Sequence, residues 1–291
     1  MQRTSLTVIP GMLTAAALLL AGCGGAMGAS GSEIRVVTSF YPLQYVAQRV
    51  AGDDAEITNL THPGQEPHDL ELTVKQTAQV VDADVVLYQR GFQAAVDQAV
   101  DQSGPDHVVD AAGAARLFGD DPHFWLDPTR LSKVAAAFEE QLADVDPDRA
   151  AAYEGRLQDL QEDLADLDGS FERGLARCRT TTIVVSHDAF SYVGRRYGLN
   201  VVGITGLSPD AEPSPAHIRA LQDLVRTGGI TTVFSDRLES RTLADSLAGD
   251  LGIRTAVLDP IEGLSDATAD EDYLSLMRAN LRALRKANAC S

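Results

Sequence analysis

Thr181-Thr182-Ile183-Val184-Val185-Ser186-His187-Asp188-Ala189-Phe190 joins a short β-branched run to a polar turn and then to the start of a helical pattern. That is a strand-to-helix unit, and the unit recurs on both sides. Downstream, residues 201–204, 231–234 and 255–258 read as strands, with helical stretches at 189–197, 215–226, 241–251 and 272–287. Upstream, strands are expected at 34–39, 55–60, 84–88 and 107–109, with helices at 43–50, 70–81, 92–100 and 129–143. The alternation predicts an α/β fold of two similar lobes, each a four-stranded, mostly parallel sheet flanked by helices.

Between the halves, Tyr153, Leu157, Leu160, Leu164, Leu167, Phe171 and Leu175 recur at three- and four-residue steps, which keeps one apolar stripe along a helix. Asp146-Pro147 supplies an N-cap and a first-turn proline. One long rigid helix over 147–176 is therefore expected to join a lobe at 33–146 to a lobe at 177–291. A run from 148 to 176 is roughly 43 Å long. Gly155 and Gly169 each weaken it by roughly 1 kcal/mol relative to Ala, and Gly169 is the candidate break.

Residues 1–22 hold one basic residue, Arg3, no acidic residue and an apolar stretch that ends in Leu20-Ala21-Gly22-Cys23. This is the layout of a secretory signal, too short and too close to Pro10-Gly11 to read as a spanning helix. The Ala-Gly-Cys ending resembles the lipobox of bacterial lipoproteins, which implies a diacylglyceryl anchor on Cys23. Residues 24–32 form a Gly/Ser/Ala tether reaching about 15–18 Å. The chain is thus expected to be exported and membrane-anchored, facing the periplasm or the cell exterior. In that oxidising compartment the remaining cysteines, Cys178 and Cys290, are either a disulfide pinning the C-terminal helix or two free thiols.

A formal charge of −18 repels phosphate backbones and acidic lipids, so no nucleic-acid partner is expected. The roughly 259 residues from Glu33 onward are enough to bury a substantial core in two lobes.

Six histidines occur, and four groups stand out by position. His68 lies in the turn after the second strand, His187 directly follows Val184-Val185-Ser186, and Asp259 directly follows Ala256-Val257-Leu258. His123 sits in the proline-bounded Asp121-Pro122-His123-Phe124-Trp125-Leu126-Asp127-Pro128. Three of the four fall at the carboxyl ends of expected strands, where open α/β sheets hold their ligands. Separations of 55, 64 and 72 residues rule out a local finger, so only the folded chain assembles such a site. Three imidazoles and one carboxylate in a tetrahedron suit Zn²⁺. His107 and His217 read as structural residues, at a strand start and near a helix start.

Pro63-Gly64-Gln65-Glu66-Pro67-His68-Asp69, the His123 loop, Ser186-His187-Asp188-Ala189-Phe190 and Leu258-Asp259-Pro260 resemble, in order, the four metal-site motifs of the zinc/manganese solute-binding proteins of bacterial ABC importers. Glu212-Pro213-Ser214 resembles a Glu-Pro-Ser/Thr turn of the same family. The resemblance covers nearly the whole mature chain. It implies a metal held between the lobes by His68, His123, His187 and Asp259, one Zn²⁺ per chain. Histidine at position 187 is the residue of zinc members, where manganese members carry Glu, and a manganese binder is the alternative. The implied partners are the importer's permease with its cytoplasmic ATPase, the membrane through the lipid anchor, and a metal donor protein, the chain itself being a monomer. Many zinc members carry a long His-rich loop before the second ligand; here residues 111–121 are short and lack His.

Asp69, Asp127 and Asp188 are candidates either to orient an imidazole through its second nitrogen or to cap a helix. His62 is either an auxiliary ligand or an exposed residue, and Trp125 either shields the site or fills the core. A hydrolytic zinc centre with Glu66 or Glu212 as base is the reading from a different class; it needs an open coordination position, which four protein ligands do not leave. Because protons compete for imidazole, affinity is expected to collapse as pH falls through the imidazole range.

Overall fold

In the computed structural model residues 34–291 are described, together with Gln2 and Ser5. The expected leader, the lipidated Cys23 and the tether lie outside the described residues. Residues 33–291 form one compact unit.

All eight expected strands are present, each within a residue or two of its expected bounds. The first sheet has the order β2-β1-β3-β4, from β1 (Ile34–Thr38), β2 (Ala55–Asn59), β3 (Val85–Tyr88) and β4 (Val108–Asp110). The second repeats it as β6-β5-β7-β8, from β5 (Thr182–Val185), β6 (Asn200–Gly203), β7 (Thr232–Ser235) and β8 (Arg254–Val257). Every strand pair is parallel, with Val36 opposite Val85 in one sheet and Val184 opposite Val233 in the other. β3 and β7 are buried along their whole length, as continuous apolar runs between helix layers require. In each sheet the chain steps outward in opposite directions from a central pair, β1/β3 and β5/β7. That creates a crevice at the strands' carboxyl ends, the usual ligand position in such sheets.

The first lobe's helices are α1 (Tyr41–Ala51), α2 (Val74–Val81), α3 (Ala94–Ser103), α4 (Ala111–Ala115) and α5 (Pro128–Val145). The long helix α6 (Ala150–Leu175) follows, and the second lobe's helices are α7 (Ser191–Tyr197), α8 (Pro215–Gly228), α9 (Thr242–Leu251) and α10 (Tyr273–Ala287). α4 is additional to the expected helices, and two helix starts differ from expectation by more than two residues. α2 begins at Val74 rather than at residue 70, because Thr73 and Gln76 close a reciprocal capping box there. α6 begins after a turn in which Arg149 and Ala150 donate to the Asp146 and Pro147 carbonyls, so Asp146 caps the turn rather than the helix.

α6 has 26 residues, about 39 Å, and runs unbroken through Gly155 and Gly169. Its buried residues are the seven of the apolar stripe, Tyr153 through Leu175. They belong to a single hydrophobic cluster that also contains Val36, Val85 and Trp125 from the first lobe and Ile183, Phe234 and Met277 from the second. Each lobe keeps a smaller cluster on the other face of its sheet. Cys178 and Cys290 form a disulfide that ties the start of the second lobe to the end of α10. Alongside it, Arg179 and Thr180 donate to the Asn288 carbonyl and Ser291 to that of Arg177. Among the described residues no helix is long and apolar enough to cross a membrane.

Candidate metal centre

The crevice collects its side chains from loops. β5 ends at Val185 and the chain turns at once, placing His187 at the carboxyl edge of the second sheet, 1% exposed. Neighbouring β6 ends at Gly203, where a Cβ would stand 2.4 Å from the Thr205 carbonyl oxygen and 3.0 Å from the Asp188 nitrogen. Only glycine lets β6 close on the His187 turn. Asp188 donates its N–H to the Gly206 carbonyl at 2.9 Å and locks that turn. His123 precedes a short 3-10 turn, Phe124–Leu126, and is fully buried. His68 follows β2 and lies edge-on to Phe92, with ring centroids 4.7 Å apart. The three imidazole centroids are 5.3, 5.6 and 6.1 Å from one another.

The fourth group in this cluster is Glu262, not Asp259. Glu262 Oε1 stands 3.4 Å from His68 Nε2, 3.2 Å from His123 Nε2 and 3.4 Å from His187 Nε2. The four donor atoms all lie within 4.8 Å of one another. Asp259 is 3% exposed but committed elsewhere. Its carboxylate accepts the Arg237 Nε–H at 2.9 Å and the Ile261 N–H at 2.8 Å, and Asn280 of α10 clasps its backbone at both ends. Ile261 then adopts φ 59°, left-handed backbone that a β-branched residue enters only under constraint. This bend carries the chain past Asp259 and turns Glu262 into the crevice.

The outer imidazole nitrogens are partnered by acidic residues other than Asp69, Asp127 and Asp188. Asp121 accepts both the backbone N–H of His123 and its Nδ1–H, at 3.0 and 2.8 Å, which leaves Nε2 with the free lone pair. His187 Nδ1 faces Glu239 at 3.2 Å and Asp236 at 3.5 Å. Of the two roles open to the candidate aspartates, the helix-start one holds for Asp127 and Asp188, and Asp69 follows neither. Asp127 caps α5 through Thr129 and pairs with Arg130. Asp188 accepts from Ser191 at the start of α7. Asp69 is exposed and makes no hydrogen bond to an imidazole.

His62 is exposed, and His217 Nε2 donates to the Gly203 carbonyl at 2.9 Å. His107 stands just before β4, outside the crevice, half-buried. Trp125 is wholly buried: its ring centroid is 5.2 Å from that of His123, and its Nε1–H donates to the Pro260 carbonyl at 2.7 Å. It thus both walls the crevice and fastens the loop that presents Glu262. Glu66 takes the His68 N–H with both oxygens, whereas Glu212 is exposed and lines a separate cleft with Gly203 and His217.

A cation fits this donor set. His123 Nε2 and His187 Nε2 are buried without a hydrogen-bond partner, although each lies within ion-pair distance of Glu262. Groups so placed are normally satisfied, and three nitrogens with one carboxylate oxygen are the ligands tetrahedral zinc prefers. Without a metal the charges pair internally. Burial works against the charged form of His187, but Glu239 and Glu262 outweigh it and push its pKa up to about 10. Burial opposes the His123 cation too, and is again outweighed, here by Asp121 and Glu262. Glu262 is held well below the carboxylate range, because its three imidazole partners overcome its burial.

A family model described as ZnuA, zinc-uptake complex component A, periplasmic, matches residues 36–287. The chain belongs to the ZnuA family. Among ZnuA-type proteins it is 33% identical to the zinc-binding lipoprotein AdcA of Streptococcus pneumoniae over 294 residues, covering 93% of this chain. The chain spans only 58% of that relative's length. It is 30% identical to the high-affinity zinc uptake system protein ZnuA of Bacillus subtilis, covering 94% of this chain and 95% of that one. Its backbone matches the crystal structure of the Zn(II)-bound ZnuA-like domain of S. pneumoniae AdcA with a TM-score of 0.78 and 33% identity, over 88% of this chain and 99% of that one.

The raised imidazole pKa values move the expected acid sensitivity upward. A metal binds neutral imidazole, so below about pH 10 it must expel the His187 proton. Affinity is therefore expected to climb by about tenfold per pH unit for each proton released, from about pH 6 through 9. Competitive chelator titrations across that range check this, and a plateau above about pH 7 would contradict it. In the metal-free fold the His187 contribution has the opposite sign, and that of Glu262 the same sign. The His187 cation's contribution is complete below its unfolded value of 6.5 and is lost as pH rises towards about 10. The contribution of Glu262 is present above 4.5 and lost as pH falls towards its depressed folded value.

Proposed function

We propose that this chain captures one Zn²⁺ outside the cytoplasm, on His68, His123, His187 and Glu262, and delivers it to the permease of an ABC importer. The carrying observation is the convergence of three Nε2 atoms on one carboxylate oxygen at 3.2–3.4 Å, two of them buried and otherwise unpartnered. The ZnuA family membership supports the importer and its ATPase as partners. The expected leader and Cys23 support an exported, lipid-anchored chain. Imidazole-rich ligation favours zinc over manganese, which prefers oxygen.

Capture exchanges the ion's water shell for four protein donors. Asp121 holds His123 in the tautomer that offers Nε2, and Glu239 and Asp236 face the Nδ1 of His187. Four protein donors leave no position for an activated water, so this is a carrier without hydrolytic turnover. Elemental analysis of the mature chain purified without chelators should find one zinc per molecule, lost in both His68→Ala and His187→Ala. A metal-free parent, retention of zinc by the variants, or a metal-dependent hydrolysis abolished by His187→Ala would contradict the reading.

A further inference from the structure

The loop before His123 is bound to the opposite lobe through one hydroxyl. Phe118 and Asp121 form an isolated antiparallel bridge around Gly119, which takes φ 57°. Tyr192, on α7 of the second lobe and 1% exposed, reaches both ends of this turn. Its oxygen accepts the Phe118 N–H at 2.9 Å, and its O–H donates to the Asp121 carbonyl at 3.0 Å. The turn is gripped from the sides as well. The Phe118 ring stacks on Tyr192 with centroids 5.3 Å apart, and the Arg130 and Arg195 guanidinium carbons lie 3.9 and 4.9 Å from its centre. Arg130 also donates to the carbonyls of Ala115 and Arg116 just upstream.

We propose that Tyr192 is a positioning residue for the ion site: by fixing the Phe118–Asp121 turn it sets the Asp121 carboxylate, and through it the orientation of His123. The inference rests on the zinc-binding reading above and deepens it. Asp121 is held at one end and holds at the other. Its carbonyl is fixed by Tyr192, while its Oδ1 takes both the N–H and the Nδ1–H of His123. With the carbonyl held, the carboxylate has little freedom left, and His123 Nε2 is aimed at Glu262. α7 itself follows directly from the His187 turn, so the same short helix references both imidazoles to one frame. In this chain the segment before the second histidine is thus a clamped turn that crosses between lobes.

The test is Tyr192→Phe in the mature chain, which removes the hydroxyl and leaves the ring stack. Tyr197→Phe is the control, because Tyr197 lies on the same helix and its hydroxyl bonds Asp168 at 2.8 Å, away from the crevice. Zinc affinity and dissociation rate are measured by chelator competition, the ligand field by the visible spectrum of the Co²⁺-loaded protein, and stability by thermal melting. Tyr192→Phe should weaken zinc binding about tenfold, the lower end of what outer partners of metal ligands contribute. The loss should appear as faster release with an altered cobalt spectrum. Tyr197→Phe should lower stability and change neither. Combined with Asp121→Asn, the effect should fall short of the product of the two single losses, since both act through His123. Parent-like affinity, release and cobalt spectrum in Tyr192→Phe, or fully multiplicative losses in the pair, would overturn the inference. A parent that takes up neither ion overturns the zinc reading and the inference with it.

Discussion

Glu262→Gln should weaken zinc binding by about a hundredfold at about pH 8, while Asp259→Asn changes it by less than about tenfold. Structural four-ligand zinc sites are worth about 10–16 kcal/mol, so one donor accounts for about 3 kcal/mol, or about two orders of magnitude in Kd. The amide keeps the shape of the side chain but not its charge, and the metal loses its anionic donor. The same change removes the carboxylate that raises His123 and His187, so their protons leave more easily. The deficit should therefore narrow towards about pH 6. Asp259→Asn breaks the pair with Arg237 instead, and its signature is a lower melting temperature. Isothermal titration of both variants at the two pH values decides. Equal losses, or a larger one in Asp259→Asn, would restore Asp259 to the ligand set.

Removing the disulfide, by reduction or by Cys178→Ser with Cys290→Ser, should cost about 3–5 kcal/mol, because the bridge closes a loop with a sequence separation of 112. For a chain of this size that corresponds to a melting temperature lower by about 10 °C. The effect should reach the metal centre. α10, whose end the bridge fastens, carries Asn280, and Asn280 holds the Asp259 backbone that leads into Glu262. Scanning calorimetry with and without a reductant, on metal-free and zinc-loaded protein, measures both consequences. An unchanged melting temperature would show that backbone bonds such as Ser291 to Arg177 already hold this end.

The strands are legible in the sequence because each is a short β-branched run bounded by turn residues, and the α6 stripe because its seven apolar residues follow one helical period. His68, His123 and His187 are legible as imidazoles on loops beside strand ends. Glu262 is not. It lies beyond Pro260 in Asp259-Pro260-Ile261-Glu262-Gly263, where nothing local says that Ile261 will take a left-handed conformation. Nor does the sequence say that Arg237, twenty-two residues away, will claim the nearer carboxylate. Asp236 is within reach of the sequence, since it directly follows β7 much as His187 closely follows β5, and the same strand-end rule applies. Asp127 and Asp188 satisfy helix starts first, a competition that short acidic side chains at helix boundaries commonly win.

One apolar cluster passes from the first sheet along α6 into the second. Opening the crevice by swinging the lobes apart would expose apolar side chains of that common interior to water, which moving a loop does not. All four donors, however, sit on loops, and the loop that presents Glu262 is fastened at Pro260 by the single bond from Trp125. Release of an ion therefore has an easier course, in which one loop peels away while the frame around α6 keeps its shape.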